Sequence, residues 1–217
     1  MKLTPTHIRS ARRHLRAADA VMRSMIDAVG PYTLRFEEDR FGLLVRSIVS
    51  QQISTIAARA IRKRLLELAG SEGLTAANLS RLTTEELRSV GLSSQKASYV
   101  ADLASRVNDG TVDLQRIGRL SDERVVEVLT QVKGIGRWTA QMFLIFSLGR
   151  PDVFPHDDLG VRTAIRDRYG LADLPDKKTS HAIAAPWRPF ASVASWYCWR
   201  TLDLARNTET VAKGYPS

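Results

Sequence analysis

An all-α fold is what this 217-residue sequence predicts, on three observations. Apolar residues recur at helical spacing through most of the chain, and the helical stretches open at Ser, Thr or Asp and close at Gly. The only extended stretch, Tyr32 to Phe36, is too short to build a sheet of its own.

In order, Thr4 before Pro5 marks a capped helix start, and Arg9, Arg12, Arg13 and Arg16 then share one face, read here as a solvated face rather than a phosphate stripe. Phe41, Leu44, Val45, Ile48 and Val49 form an apolar stripe, which Ile53, Ile56, Ala57, Ala60, Ile61, Leu65 and Leu68 repeat after a polar corner at Ser50-Gln51-Gln52. Thr84-Glu85-Glu86-Leu87 opens a short helix that stops at Gly91, and Ser93-Ser94 caps the next, which runs to Asn108-Asp109-Gly110. Ser121 starts a helix with Val125, Val128, Leu129 and Val132 on one face, ending at Gly134. From Arg137 to Leu148 the sequence is apolar nearly all round, the pattern of a buried central helix. Further helices are expected over 157–168, 177–185 and 189–207. The arrangement expected is one domain of two interleaved helical lobes, about 35–118 in the central lobe and about 4–34 plus 119–207, with the 132–136 hairpin, in the second.

Charge narrows the partner. Lys and Arg number 32 against 23 Asp and Glu, giving a net charge of +9 and a pI of about 10.1. Only seven of the basic residues are lysines, so arginine, whose forked and permanently charged donors suit phosphate, dominates. A single cysteine, Cys198, excludes an internal disulfide, a cysteine-based zinc site and a four-thiolate iron–sulfur cluster, and fits a reducing compartment. The longest apolar run, Met142 to Phe146, falls far short of the ~20 residues a membrane span needs, so a soluble, cytoplasmic protein with no membrane partner is expected.

The richest chemistry lies in Val132-Lys133-Gly134-Ile135-Gly136-Arg137-Trp138-Thr139-Ala140. Its Gly-x-Gly is not a dinucleotide fingerprint, because Thr139 stands where the third glycine is required and the preceding segment is helical in period. Between two helices the glycines make a tight hairpin in which both can take positive φ, with amides aimed outward at a helix N-terminus, where donors and dipole favour phosphate. Lys133 and Arg137 flank it, which points to a sequence-independent grip on a nucleic-acid backbone.

That segment, the apolar helix after it and Asp-Val-Phe-Pro-His-Asp-Asp at 152–158 resemble the helix-hairpin-helix DNA glycosylases with a Gly/Pro-rich stretch and a catalytic aspartate. Within them the chain looks most like the compact form of the 3-methyladenine DNA glycosylase II branch. The likeness extends from about Thr4 to Asn207 through Ser50-Gln51-Gln52-Ile53-Ser54, Val90-Gly91-Leu92-Ser93-Ser94-Gln95-Lys96-Ala97 and Pro186-Trp187-Arg188-Pro189-Phe190 to Trp196-Tyr197.

The resemblance implies two lobes around a DNA-binding cleft. It places the catalytic carboxylate at Asp158, where it stabilises the positive charge that develops on the sugar as an N-glycosidic bond breaks. Asp157 is expected to cap the helix instead. Trp138 stands where strand-cutting relatives carry a nucleophilic lysine, which implies a monofunctional enzyme using water. Trp138, Met142 and Trp196 are implied as base-pocket walls, where an electron-rich ring attracts a cationic alkylated purine by about 0.5–2 kcal/mol. Trp187 and Trp199 are expected in the core. Gln52 is implied as the side chain that fills the gap left by an extruded nucleotide, with Leu92 and Ser93 as similar candidates. His156 has no partner at ligand spacing and is read as a cap-region or DNA-facing residue. No cofactor is implied for catalysis. A structural Na+ or K+ on the backbone carbonyls of Thr130, Val132 and Ile135 is implied for the hairpin.

The expected function is therefore excision of alkylated bases such as 3-methyladenine from double-stranded DNA, by a monomer acting in the nucleoid or nucleus. A non-catalytic lesion sensor and a glycosylase for deaminated or oxidised bases are the competing expectations.

Overall fold

The computed structural model describes the backbone of residues 2–212 and the side chains of residues 2–206. Among these residues there is no strand, and twelve α-helices carry the fold. The chain divides into two units, Met1–Arg35 with Gly149–Ser217 and Phe36–Leu148.

The central unit, 36–148, holds α3 (Arg40–Ser50), α4 (Thr55–Ala69), α5 (Ala76–Leu79), α6 (Thr84–Ser89), α7 (Ser94–Asn108), α8 (Asp122–Leu129) and α9 (Arg137–Phe146). Asp39, Ser54, Thr75, Thr83, Ser93 and Ser121 accept first-turn amides at the starts of α3 to α8. Each such cap contributes about 1 kcal/mol. The stripe of α3 is buried as its spacing predicts, from Phe41 through Leu44, Val45 and Ile48 to Val49. The stripe of α4 is narrower than its sequence: Ala58, Ile61, Leu65 and Ala69 are buried, while Ile53 and Ile56 stay exposed, Ile56 at 82%.

The boundary expected near 118 is displaced. The segment from α8 to α9 belongs to the central unit, because α9 packs on α3 and α8. Backbone ties close this arrangement: the Glu37 amide donates to the Phe146 carbonyl at 2.8 Å and the Ser147 hydroxyl to the Glu37 carbonyl at 2.9 Å. The Arg40 guanidinium reaches the carbonyls of Leu114 and Gln115. The hairpin therefore sits in the central unit rather than with the chain's two ends.

The split unit, 1–35 with 149–217, holds α1 (Pro5–Ala18), α2 (Ala20–Val29), α10 (Leu159–Tyr169), α11 (Lys177–Ala184) and α12 (Ala191–Ala212). Helix α12 packs on α1, α2 and α10, and the core gathers Leu15, Met22, Ile26, Trp187, Val193 and Tyr197, all fully buried. Large apolar side chains buried this way stabilise the unit by about 1.5–3 kcal/mol each. Asp19 caps α2 and also accepts from the Tyr169 hydroxyl and, at 3.0 Å, from the Trp187 indole. One half-buried carboxylate thus joins α2, α10 and the turn after α11. The arginine face of α1 is partly engaged within its own unit, with Arg16 paired to Asp27 and Arg9 donating to Thr6.

Candidate active site

The hairpin is built by steric exclusion on one side and openness on the other. Gly134 has φ +79°, and a Cβ there would lie 2.0 Å from the Tyr99 ring. No other residue fits. Gly136 has φ −92°, so the expected positive φ occurs at only one of the two glycines, and space beyond Gly136 is open. Gly136 is the N-cap of α9 and offers no side chain to its first-turn amides. The Lys133 amide is spent on Asp102, at 2.9 Å, and that of Ile135 on the Val132 carbonyl, at 3.1 Å. This corrects the expectation that the hairpin amides point outward together. Those of Gly134 and Gly136 are the two with no partner among the described residues. Val132 and Ile135 are buried and anchor the turn, while Lys133 and Arg137 are exposed on either side of it.

The polar corner of the sequence is a strained loop beside this hairpin. Gln52 takes φ +54°, which a β-carbon disfavours, and its side chain is exposed. Two contacts hold the loop: the Lys96 ammonium donates to the carbonyls of Val49 and Gln51, at 2.7 and 2.6 Å, and Gln51 Nε2 donates to the Gly134 carbonyl at 2.8 Å. Burial lowers the Lys96 pKa from its ordinary value. Gln52 and Trp138, distant in sequence, line one cavity of about 510 Å³ with Leu43, Arg46, Ser47, Ser50 and Gln51. Trp138 is 45% exposed at the first turn of an otherwise buried helix, and Met142, one turn further, is buried. Leu92 is buried in the core of the central unit, which is at odds with the expectation that it inserts into DNA. Ser93 is exposed and spends its hydroxyl on the cap of α7.

In the split unit the two adjacent aspartates separate by environment, and the capping assignment reverses. Asp158 is the N-cap of α10, its Oδ1 accepting the Val161 amide at 2.8 Å, whereas Asp157 is exposed and pairs with His156 at 3.1 Å. The backbone decides this, since Asp158 at ψ 121° is the last residue before helical dihedrals begin. Asp158 is nevertheless nearly buried, and its Oδ1 accepts a second bond, 2.8 Å, from the indole of Trp199. Trp199, expected in the core, is instead half-buried and holds the carboxylate. A signal was available in Gly160, where a side chain would collide with the Trp199 ring at 2.9 Å.

Trp196 is 5% exposed and packed between Tyr32, tilted against it at 4.6 Å, and Tyr197, edge-to-face at 4.9 Å. The Tyr32 hydroxyl is buried without a hydrogen-bond partner among the described residues, and burial raises its pKa. Buried phenols usually find one. Cys198 is wholly buried, its thiol pushed up by burial first and then by the charges of Asp158 and Asp19, which makes it unreactive. His156 packs against His181 at 5.0 Å. Among the described residues no group of His, Cys, Asp and Glu could hold a metal ion, and no helix is long and apolar enough to cross a membrane.

Helix α8, a glycine hairpin that only glycine can close and the uncapped start of α9 together define a helix-hairpin-helix protein. The chain belongs to the HhH-GPD superfamily of base excision DNA repair proteins, whose family model matches residues 45–189. It is 33% identical over 211 residues to DNA-3-methyladenine glycosylase 1 of Schizosaccharomyces pombe, covering 95% of this chain and 92% of that protein. It is 31% identical to a putative DNA-3-methyladenine glycosylase of Bacillus subtilis over 75% of this chain and 59% of that one. Among solved structures, the S. pombe enzyme in complex with abasic DNA matches with a TM-score of 0.82 over 90% of this chain and 98% of the other. A DNA-3-methyladenine glycosidase from Bacillus halodurans matches at 0.80 with 33% identity, over 94% and 92% of the two chains.

Proposed function

We propose that this protein is a monofunctional DNA glycosylase of the 3-methyladenine glycosylase II branch, which extrudes alkylated bases from duplex DNA and hydrolyses their N-glycosidic bond. The observation that carries the reading is Asp158, a nearly buried carboxylate fixed through Oδ1 by the Val161 amide and the Trp199 indole. A carboxylate held this way stabilises an oxocarbenium at the sugar without reorganising during the reaction, and it orients the water that then adds. Alkylation supplies the rest of the driving force, because a cationic purine departs as a neutral base.

Binding follows from the central unit. The amides of Gly134 and Gly136 and the cations of Lys133 and Arg137 grip phosphate, which carries no sequence information. Gln52 takes the place of the extruded nucleotide, offsetting part of the few kcal/mol of lost stacking. Trp138 offers an exposed electron-rich face to the cationic base, and Met142 and Trp196 limit what fits. The carbonyls of Thr130, Val132 and Ile135 would hold a Na+ or K+, since they are neutral oxygen donors and the Val132 carbonyl keeps a second lone pair after accepting from Ile135. Such an ion adds positive charge beside the phosphate. Trp138 has no amine to form a Schiff base, so the product is an abasic site in an uncut strand.

Duplexes bearing 3-methyladenine, hypoxanthine or 8-oxoguanine, incubated with the protein and treated with alkali, test the reading. Release of the alkylated purine first, with no adduct trapped by borohydride, is expected. Binding without release of any base would replace the enzyme by a lesion sensor, and a trapped adduct lost in Lys133→Ala would place the nucleophile there.

A further inference from the structure

Helix α4 departs furthest from the apolar stripe of its sequence at its N-terminal end. Ile56, 82% exposed, and Ile53, 37% exposed, stand on the surface immediately after the Gln52 loop. Ile56 is the most exposed large apolar side chain among the described residues, and such an exposed apolar pair beside a basic groove asks for a partner. The same helix carries Arg59, Arg62, Lys63 and Arg64 against a single acid, Glu67. Lys63 pairs with Glu67, and the Arg64 guanidinium donates to the Val90 carbonyl. Arg59 and Arg62 are exposed and have no ion-pair or hydrogen-bond partner among the described residues. Both line a groove of about 200 Å³ with Arg46, Val49, Ile53 and Thr55. Arg46 is already paired with Glu37 and also borders the cavity of Gln52 and Trp138.

We infer that the groove of α4 is a second DNA-backbone contact, in which Arg59 and Arg62 bind phosphates while Ile53, in the groove's lining, and Ile56, three residues before Arg59 on the same helix, lie against the deoxyribose faces beside the nucleotide replaced by Gln52. Charge complementarity selects the occupant: two uncommitted guanidiniums next to apolar side chains match the alternation of phosphate and sugar along a strand. Position supports it. The Gln51 side chain ties the loop to the Gly134 carbonyl, and hairpin and groove lie in the same unit, which places two separate holds for one duplex. A hairpin alone gives a single hold, about which a helix can pivot; a second hold beside the plug resists the bending that extrusion imposes.

The inference rests on the DNA-binding reading but not on catalysis, so binding tests it even if no base is released. Arg59→Ala/Arg62→Ala, made in the full chain, should keep the wild-type melting temperature, because both side chains are exposed. Its affinity for undamaged and abasic-analogue duplex alike should fall about tenfold or more, and the slope of log affinity against log salt should flatten by about 2, one unit per lost phosphate contact. Arg59→Lys/Arg62→Lys should restore most of the slope. Single methylphosphonates walked along both strands locate the contact: the double variant should become insensitive at one run of neighbouring phosphates, and Gly136→Ala at a different run. Ile56→Ala should weaken binding severalfold with the salt slope unchanged, since it removes no charge. Unchanged affinity and slope in the double alanine variant, or loss of sensitivity at the same phosphates as Gly136→Ala, would overturn the second contact.

Discussion

Replacing Asp158 separates its two duties, because the two available substitutions remove different things. In Asp158→Ala the Val161 amide loses its acceptor, costing about 1 kcal/mol as for a lost cap, and the Trp199 indole loses its 2.8 Å partner, costing about 1–2 kcal/mol for a half-buried donor. The sum, about 2–3 kcal/mol, lowers the melting temperature by roughly 4–12 °C in a chain of this size. Asp158→Asn keeps an oxygen where Oδ1 stands, so both bonds survive and only the favourable charge at the N-terminus of α10 is lost, about 0.3–1 kcal/mol. Under the proposed mechanism both variants also remove the negative charge that would stabilise the developing oxocarbenium. Their single-turnover excision rates should fall together, by about 10²–10³-fold or more. Thermal melting alongside single-turnover release from a 3-methyladenine duplex reads the two effects on one preparation, and saturating enzyme removes any contribution of binding. An asparagine variant within twofold of wild type would refute the electrostatic role. One that melts as low as the alanine variant would show that the charge, not the oxygen, makes the cap.

Three further outcomes follow from the geometry. Gly136→Ala should fold normally, since φ is −92° and space is open, yet bind damaged and undamaged duplex more weakly by similar factors in gel-shift titrations; Gly134→Ala should lose much of its stability in thermal melts, with φ +79° and Tyr99 in the way. Gln52→Ala should slow excision more on a stable pair than opposite a mismatch, with little change in melting temperature, whereas equal slowing on both would make Gln52 a corner residue. Tyr32→Phe should raise stability by about 1–2 kcal/mol by removing an unpaired buried hydroxyl, and altered relative rates across a panel of modified bases would show that this hydroxyl meets the substrate.

The helices were legible because each is specified locally. Thr4, Ser93 and Ser121 cap helices where the sequence places their starts, and the α3 stripe from Phe41 to Val49 is buried to the last residue. The hairpin could be read for the same reason, since two glycines between helical periods constrain the backbone whatever surrounds them. Sequence could not decide which neighbour of an equivalent pair does what. Asp157 and Asp158 differ only in which one ends the non-helical backbone, and Trp199 meets a carboxylate forty-one positions away through the packing of α12 on α10. Leu92 reads the same as a plug or a core residue until α7 folds over it. Lobe membership followed tertiary contacts too: α8 and α9 join the central unit because α9 packs on α3, a fact no local pattern contains. Local backbone chemistry is written in adjacent residues, whereas burial, partnership and the unit a helix joins depend on residues brought together only when the chain closes.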